Sequence, residues 1–391
     1  VIYFDHNATT PLDPTALDRM LPFLGERYGN PSSVHSAGQA ARHAVDDARE
    51  AVATLIGAQP KEITFTSGGT EADNLAIRGA FRAALNGRRA IVTTAVEHPA
   101  VLDTVRALGR EGVDVREVPV DSSGNLSWEH LDRAIVADTA LVSVMWANNE
   151  TGVIFPVERI GALCRERGVT FHVDAVQAAG KLPIDVARAP IDLLSLSAHK
   201  IGGPKGAGAL WIRRGLSLSA TQTGGHQERG RRGGTENVAA VAGFGAAAES
   251  ARSRREEEQR RVTALRDALE SRLLAAIPDM LIAGSGGERV GNTCCACFRD
   301  VEAEALLMAL DLDGLCVSSG SACTAGSLEP SHVIRAMGIA AEYAHGAIRF
   351  SLGSGNTADE VTRAAELVRE SVSRLRDRAL KSAQSGRQDA R

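Results

Sequence analysis

Short apolar runs alternate with amphipathic segments along the chain as far as about residue 245. Glu62–Phe65, Ala90–Thr93, Ala140–Val144, Val169–Val173, Asp192–Leu196 and Ala209–Ile212 are four or five residues long. They are β-branched or aliphatic and bounded by Gly, Asn or polar residues, the pattern of buried strands. Between them, Ser36–Ile56 places Ala41, Val45, Ala48, Val52 and Leu55 at spacings of three and four, with Gly57 to stop it, and this predicts a helix. Gly69–Leu85, Ala100–Arg110 and Val157–Glu166 repeat the helical pattern. Strand–helix alternation predicts an α/β fold whose mostly parallel sheet is covered on both faces.

The pattern then changes. Ala246–Ile277 reads as one long charged helix, followed by strands at Met280–Ala283 and Asn292–Phe298. A helix at Glu302–Leu312, strands near Leu315–Val317 and Gly346–Ser351, and a helix from Thr357 to about Leu380 complete a smaller α+β unit. We expect a large domain over 15–250, a small domain made of 1–14 and 251–380, and a disordered polar tail over 381–391.

Composition narrows the classes. The chain has 391 residues, 44 Lys+Arg against 48 Asp+Glu, and a net charge of −4. That balance argues against a nucleic-acid binder, which carries a basic surplus. No stretch approaches the ~20 apolar residues of a membrane span. Val1–His6 lacks the basic start and long apolar run of a signal peptide, so we expect a cytoplasmic protein. Its six Cys are too irregularly spaced for a disulfide framework, and free thiols are expected.

Four segments carry candidate chemistry. In Leu193–Gly208 an apolar strand ends in Ser197-Ala198-His199-Lys200, then a Gly/Pro-rich turn, then a second apolar strand. A lysine at the end of a buried strand is unusual, and a desolvated amine is suited to forming an imine with an aldehyde. Ser197-x-x-Lys200 also matches a penicillin-binding pattern, without its companion motifs. Gly202–Gly208 imitates a dinucleotide loop but leads into a strand. A surface loop lysine is the plain alternative. Asp174 ends the strand Val169–Val173, at the edge where α/β sheets bind ligands. It suits the pyridinium nitrogen of pyridoxal phosphate (PLP), or a helix cap. Thr64–Asn74 reads as strand, small-residue turn and helix start, which binds a single phosphate or simply caps a helix. His98, before Pro99, can stack on a ring, move a proton, or cap the next helix.

Cys323 lies among small polar residues, Val317–Ser327, which predict an exposed, mobile loop and an available thiol. Cys164 and Cys316 read as buried filler. Cys294-Cys295-Ala296-Cys297 lacks the turn and second pair of a metal site. On a strand, Cys295 and Cys297 share one face and Cys294 takes the other. No metal is expected.

The order Gly-Gly-Thr-Glu, Glu-His, Asn-Asn-Glu, Asp-x-x-Gln, Ser-x-His-Lys, Arg-x-Gly-Thr and Ser-Ser-Gly-Ser-Ala-Cys resembles the cysteine desulfurases of the NifS/IscS type. These belong to the class V aminotransferase group of PLP enzymes, with the aspartate-aminotransferase-type fold. The resemblance runs from Asp5-His6-Asn7-Ala8-Thr9-Thr10 to Ile348-Arg349-Phe350-Ser351. It implies that Lys200 binds PLP covalently, that His98 stacks on the ring and handles protons, and that Asp174 pairs with the pyridinium nitrogen. It further implies that Gln177 faces the phenolic oxygen and that Gly69, Thr70, Ser197 and His199 hold the phosphate. Thr235 then reaches the phosphate of a second subunit in a homodimer, and Asn149 and Arg349 position L-cysteine. Cys323 accepts the sulfur as a persulfide, and alanine is released. The sulfur passes to an acceptor protein such as an iron–sulfur scaffold. An aminotransferase or selenocysteine lyase of the same fold is the near alternative. A non-catalytic sulfur- or metal-handling scaffold on Cys294, Cys295 and Cys297 is the distant one. The basic residues Arg374, Arg376, Arg378 and Lys381 read as a solvated helix face or an acceptor dock.

Overall fold

A computed structural model describes residues 1–84, 87–320 and 329–388. After the N-terminal strand β1 (Ile2–Tyr3) come β2 (Ile63–Thr66), β3 (Ala90–Thr94), β4 (Asp114–Val118), β5 (Thr139–Met145), β6 (Thr170–Asp174), β7 (Leu193–Ser197) and β8 (Gly208–Ile212). The last seven form one sheet in the order β2-β8-β7-β6-β5-β3-β4. All neighbours run parallel except β8, which is antiparallel to both β2 and β7. Its reversal follows from the connection 198–207, shorter than the roughly dozen residues of a parallel crossover.

The six strands read from the sequence are present within one or two residues, and β2, β3, β5, β7 and β8 are buried throughout. One face packs Val45, Val52, Phe65, Phe171 and Phe244. The other packs Leu75, Ile77, Val101, Leu141 and Leu193. Helices Ser36–Leu55, Gly69–Ala83, Pro99–Arg110 and Val157–Glu166 cover these faces. Strand β4 was not apparent in the sequence, because Asp-Val-Arg-Glu-Val lies on the sheet edge with its charges outward.

Helix Val238–Ala276 links the two units, contributing Phe244 and Ala248 to the first core and Val262, Leu269 and Leu273 to a second. It begins at Val238, earlier than the sequence pattern predicts. The stretch Val238–Gly245 is buried all round, so it shows no amphipathic stripe. Asn237 caps it by accepting from Ala240 N at 3.2 Å. Strands β9 (Met280–Ala283), β10 (Thr293–Phe298), β11 (Leu315–Cys316) and β12 (Ala347–Ser351) follow. Antiparallel β12-β10-β9 form the small sheet, while β11 pairs in parallel with β1. Phe4 is fully buried in the second core beside Leu269, Phe298 and Phe350.

The last helix runs from Ala358 to Gln388. Strand alternation sends Cys294 into the second core and Cys295 and Cys297 into the first. Cys164 is buried, and burial pushes its thiol up to about 12; Cys316 is only half-buried. Among the described residues, no helix is long and apolar enough to cross a membrane.

Candidate active site

The strands of the large sheet deliver their polar residues to one edge. β7 ends at Ser197 and turns through Ala198-His199-Lys200. β6 ends on Asp174, β2 leads to Gly69 and Thr70, β3 to His98 and β5 to Asn149. Across from them stands Arg349 of β12. These residues, with Gln177, Asn7 and Gly320, line a cavity of about 310 Å³.

Lys200 points inward. Its Nζ donates to the carbonyl oxygens of Asn7 at 2.5 Å and Ala8 at 2.8 Å. The surface-loop alternative therefore falls away. Asn7 is a hub that the sequence reading did not assign. Its side chain donates to Asn149 O at 3.0 Å and Thr293 Oγ1 at 2.8 Å, and its Oδ1 accepts from Asn292 Nδ2 at 2.9 Å and Lys181 Nζ at 3.2 Å. Its carbonyl also accepts from Gln177 Nε2 at 3.0 Å, while Gln177 Oε1 accepts from Lys181 Nζ at 2.6 Å. Burial lowers Lys181 to about 7, helped by the charges of Lys200 and Arg349.

Asp174 accepts from Val176 N at 2.9 Å. Burial raises its carboxyl to about 6, against the pull of that hydrogen bond and of Lys200. The neighbouring Asp73 is 1% exposed, and burial and the charge of Asp174 keep it protonated well above the usual range. Beneath them, His172 has its ring nitrogens 2.8 Å from Ser143 Oγ and 2.9 Å from Ser195 Oγ, and burial lowers it to about 3.

His98 takes one of the roles weighed for it, capping helix Pro99–Arg110, and it also lines the cavity. Its Nδ1 accepts from Ala100 N at 3.1 Å, which puts the neutral ring's proton on Nε2. Burial, with the charge of Lys200, lowers it to about 4, so it is neutral at pH 7.

The opposite end of the cavity is built for an anion. Gly69 and Thr70 open helix Gly69–Ala83 at the cavity wall, where Ser197 and His199 also line it, and a helix N-terminus there favours an anion. A Cβ at Gly69 would lie 2.8 Å from Val176 Cγ2, so only glycine leaves this cradle intact. His199 is oriented by Thr9 Oγ1, 3.2 Å from its Nδ1, and burial lowers it to about 4. The donor set fits PLP: a helix N-terminus for phosphate, a buried carboxylate for a ring cation, and an inward amine for the aldehyde.

Arg349 is 4% exposed. Its guanidinium is fixed by Asp5 Oδ1 at 2.8 Å and Asn149 O at 3.1 Å, and its Nε has no hydrogen-bond partner among the described residues. Two expected site residues are not in this group. Thr235 is exposed and does not line the cavity. Cys323 lies outside the described residues, three positions after Gly320.

The class-V aminotransferase family profile matches residues 2–364. A cysteine desulfurase of Nostoc sp. is 50% identical over 376 residues, covering 96% of this chain and 94% of its own. The cysteine desulfurase NifS of Azotobacter vinelandii is 48% identical over 377 residues, with coverages of 96% and 94%. Among solved structures, a NifS-like protein superposes with a TM-score of 0.89 at 38% identity, covering 95% of this chain and 99% of its own. The chain belongs to the class-V aminotransferase family. Within that family its relatives set it among the cysteine desulfurases of the NifS/IscS kind.

Proposed function

We propose that the chain is a cysteine desulfurase that uses PLP to convert L-cysteine to L-alanine, with the sulfur leaving as a persulfide on Cys323. The observation that carries this reading is the meeting of Lys200, Asp174, His98 and the Gly69 helix start around one cavity, with Arg349 facing them. When bound there, PLP supplies an electron sink for the pair left on Cα as its proton departs.

The chain's own residues do the rest. Lys200 would hold the cofactor's aldehyde carbon and serves as the base for the Cα proton, and the Asn7 and Ala8 carbonyls stabilise its ammonium. Asp174 would hold the ring nitrogen and Gln177 the phenolic oxygen. His98 would flank the ring and offers Nε2–H as a proton donor. Gly69, Thr70, Ser197 and His199 would hold the phosphate. Exposed Thr235 is assigned to the phosphate of a second copy, which makes the working unit a homodimer. Asn149 and Arg349 seat the substrate carboxylate. The Cys323 thiolate attacks the substrate sulfur. An S–S bond forms as the Cβ–S bond breaks, the electron pair stays with Cβ and takes a proton, and return of the proton held by Lys200 to Cα completes alanine.

The persulfide passes to an acceptor protein, such as an iron–sulfur scaffold. A free thiol nucleophile suits a reducing compartment, and we assign the enzyme to the cytoplasm. At the C-terminal end, Arg376 is already committed to the carbonyls of Arg299, Pro278 and Asp279, so it is a structural residue and not a free contact for that acceptor.

The test adds L-cysteine to the purified protein and assays alanine, sulfide and keto acid. Alanine and sulfide in equal amounts are expected. Cys323→Ser should keep the cofactor absorbance and lose sulfide release. Keto-acid formation, or full activity in Cys323→Ser, overturns the reading.

A further inference from the structure

Lys200 borders two cavities. One is the active-site cavity; the other, of about 300 Å³, is lined by residues 10–14, the long helix Val238–Ala276 and residues 352–355. Gln177 lines the first and not the second, and Lys181 the second and not the first. The two side chains meet between them. They stand four residues apart in the turns of 175–182, where Ala179 N donates to Ala175 O at 2.9 Å and Leu182 N to Ala178 O at 2.8 Å.

Lys181 Nζ donates to Gln177 Oε1 at 2.6 Å and to Asn7 Oδ1 at 3.2 Å. Two N–H donors suffice for both bonds, and the amine keeps two even after losing its third proton. The Asn7 amide is fixed from its other end, since its nitrogen donates to Asn149 O at 3.0 Å. The Gln177 amide therefore takes one orientation: oxygen to Lys181, nitrogen to Asn7 O at 3.0 Å. A second N–H on Nε2 is left for a group in the active-site cavity. The other charged groups around Lys181 do not displace this contact. Lys200 and Arg349 act on it as cations and accept no hydrogen bond, while Glu258 faces it from the long helix. His6 is lowered to about 4, chiefly by burial, and is neutral. Asp13 is taken up by Thr15, Ser250 and Arg254.

We propose that Lys181 is a positioning residue: by holding the Gln177 oxygen from the side of the second cavity, it turns the Gln177 N–H toward the phenolic oxygen of the cofactor. The inference rests on the proposed reading, which puts that oxygen at Gln177. A donated N–H favours the cofactor form that has lost a proton, and an amide that turns its oxygen inward disfavours it. Lys181 thus lowers the pH at which the bound cofactor changes absorbance, without lining the cofactor's cavity.

The experiment loads PLP into wild type, Lys181→Met, Lys181→Arg, Gln177→Ala and the double variant Lys181→Met with Gln177→Ala. Cofactor absorbance is then titrated with pH in the absence of substrate. Lys181→Met should raise the midpoint by about one to two pH units, the effect of losing one hydrogen bond to a charged group. Lys181→Arg keeps the donors and should restore most of the difference. Without Gln177, Lys181→Met should move the midpoint by less than about half a unit, because the two act through one contact. Should Lys181→Met not fold, Lys181→Gln takes its place with the same expectation, since an amide there accepts as well as donates and no longer dictates the orientation. An unchanged midpoint in the folded Lys181 variant overturns the inference. So does an equal shift in the absence of Gln177, which is a charge effect that bypasses the amide. Wild type that takes up no PLP refutes the reading beneath the inference, and both fall together.

Discussion

Arg349 offers the sharpest quantitative test of the substrate assignment. Asp5 and Asn149 O each take one N–H of its guanidinium, and Nε is buried without a partner among the described residues. The remaining N–H groups form a fork on a fixed, nearly dehydrated cation. A carboxylate received there makes two charge-assisted hydrogen bonds, each contributing about 1.5–3 kcal/mol. Their sum, about 3–6 kcal/mol, corresponds to about two to four powers of ten in affinity. Arg349→Lys keeps a positive charge beside Asp5 but loses the fork. The assay titrates L-cysteine and cysteamine, which is cysteine without its carboxylate, and follows the cofactor absorbance. Wild type should prefer L-cysteine by about a hundredfold or more. In Arg349→Lys the preference should collapse to within about tenfold, because the ligand group and its receptor are removed from the same interaction. If the variant keeps the full preference, the carboxylate is read elsewhere and the seating of the substrate must be redrawn.

Three further outcomes are expected. In Lys200→Ala, borohydride reduction should leave no pyridoxyl mass on any peptide; a label at another residue refutes the attachment. Glu97 is raised to about 8, chiefly by burial, so its protonated form stabilises the fold below about 4.5 and that stability is lost as pH rises through about 8. Its Oε1 accepts from Thr94 Oγ1 and Met145 N, a role glutamine keeps. Glu97→Gln should therefore gain on wild type in urea unfolding by up to about 1.4 kcal/mol per pH unit between these limits, and parallel curves would contradict it. Arg49 and Glu228 form a buried two-pronged ion pair, both contacts at 2.7 Å, and Glu228 also accepts from Phe65 N at 3.0 Å. Arg49→Met strands that carboxylate and should cost about 3–5 kcal/mol in urea unfolding, partly regained in Arg49→Met with Glu228→Gln; a loss under about 1 kcal/mol refutes it.

The layered sheet was legible because strands buried on both faces read as unbroken apolar runs. Its charged edge strand β4 and the reversed direction of β8 were not, since edge position and strand direction depend on tertiary neighbours. Lys200, Asp174 and His98 could be found because each is a polar residue at or just past the end of an apolar run, whereas Asn149 entered only through the family resemblance. Asn7 and Lys181 could not be assigned from pattern, because they meet each other across 174 positions of sequence. Asp73 and His172 had a weaker signal, a titratable group among apolar neighbours, which marks burial without saying what is buried beside it. Thr235 gave no structural sign of its role in a single chain, since the role expected for it involves a second copy.

The N-terminal segment has a bearing on how the reactive lysine is held. Residues 2–3 pair with 315–316 and Asp5 bridges to Ser351, so this segment is docked by partners remote from it in sequence. That same segment carries the carbonyls that receive the Lys200 amine. The seat of the Lys200 amine therefore depends on the small sheet as well as the large one: a change that loosens β12 or β11 would reach the lysine through the backbone of residues 2–8 without touching the large sheet.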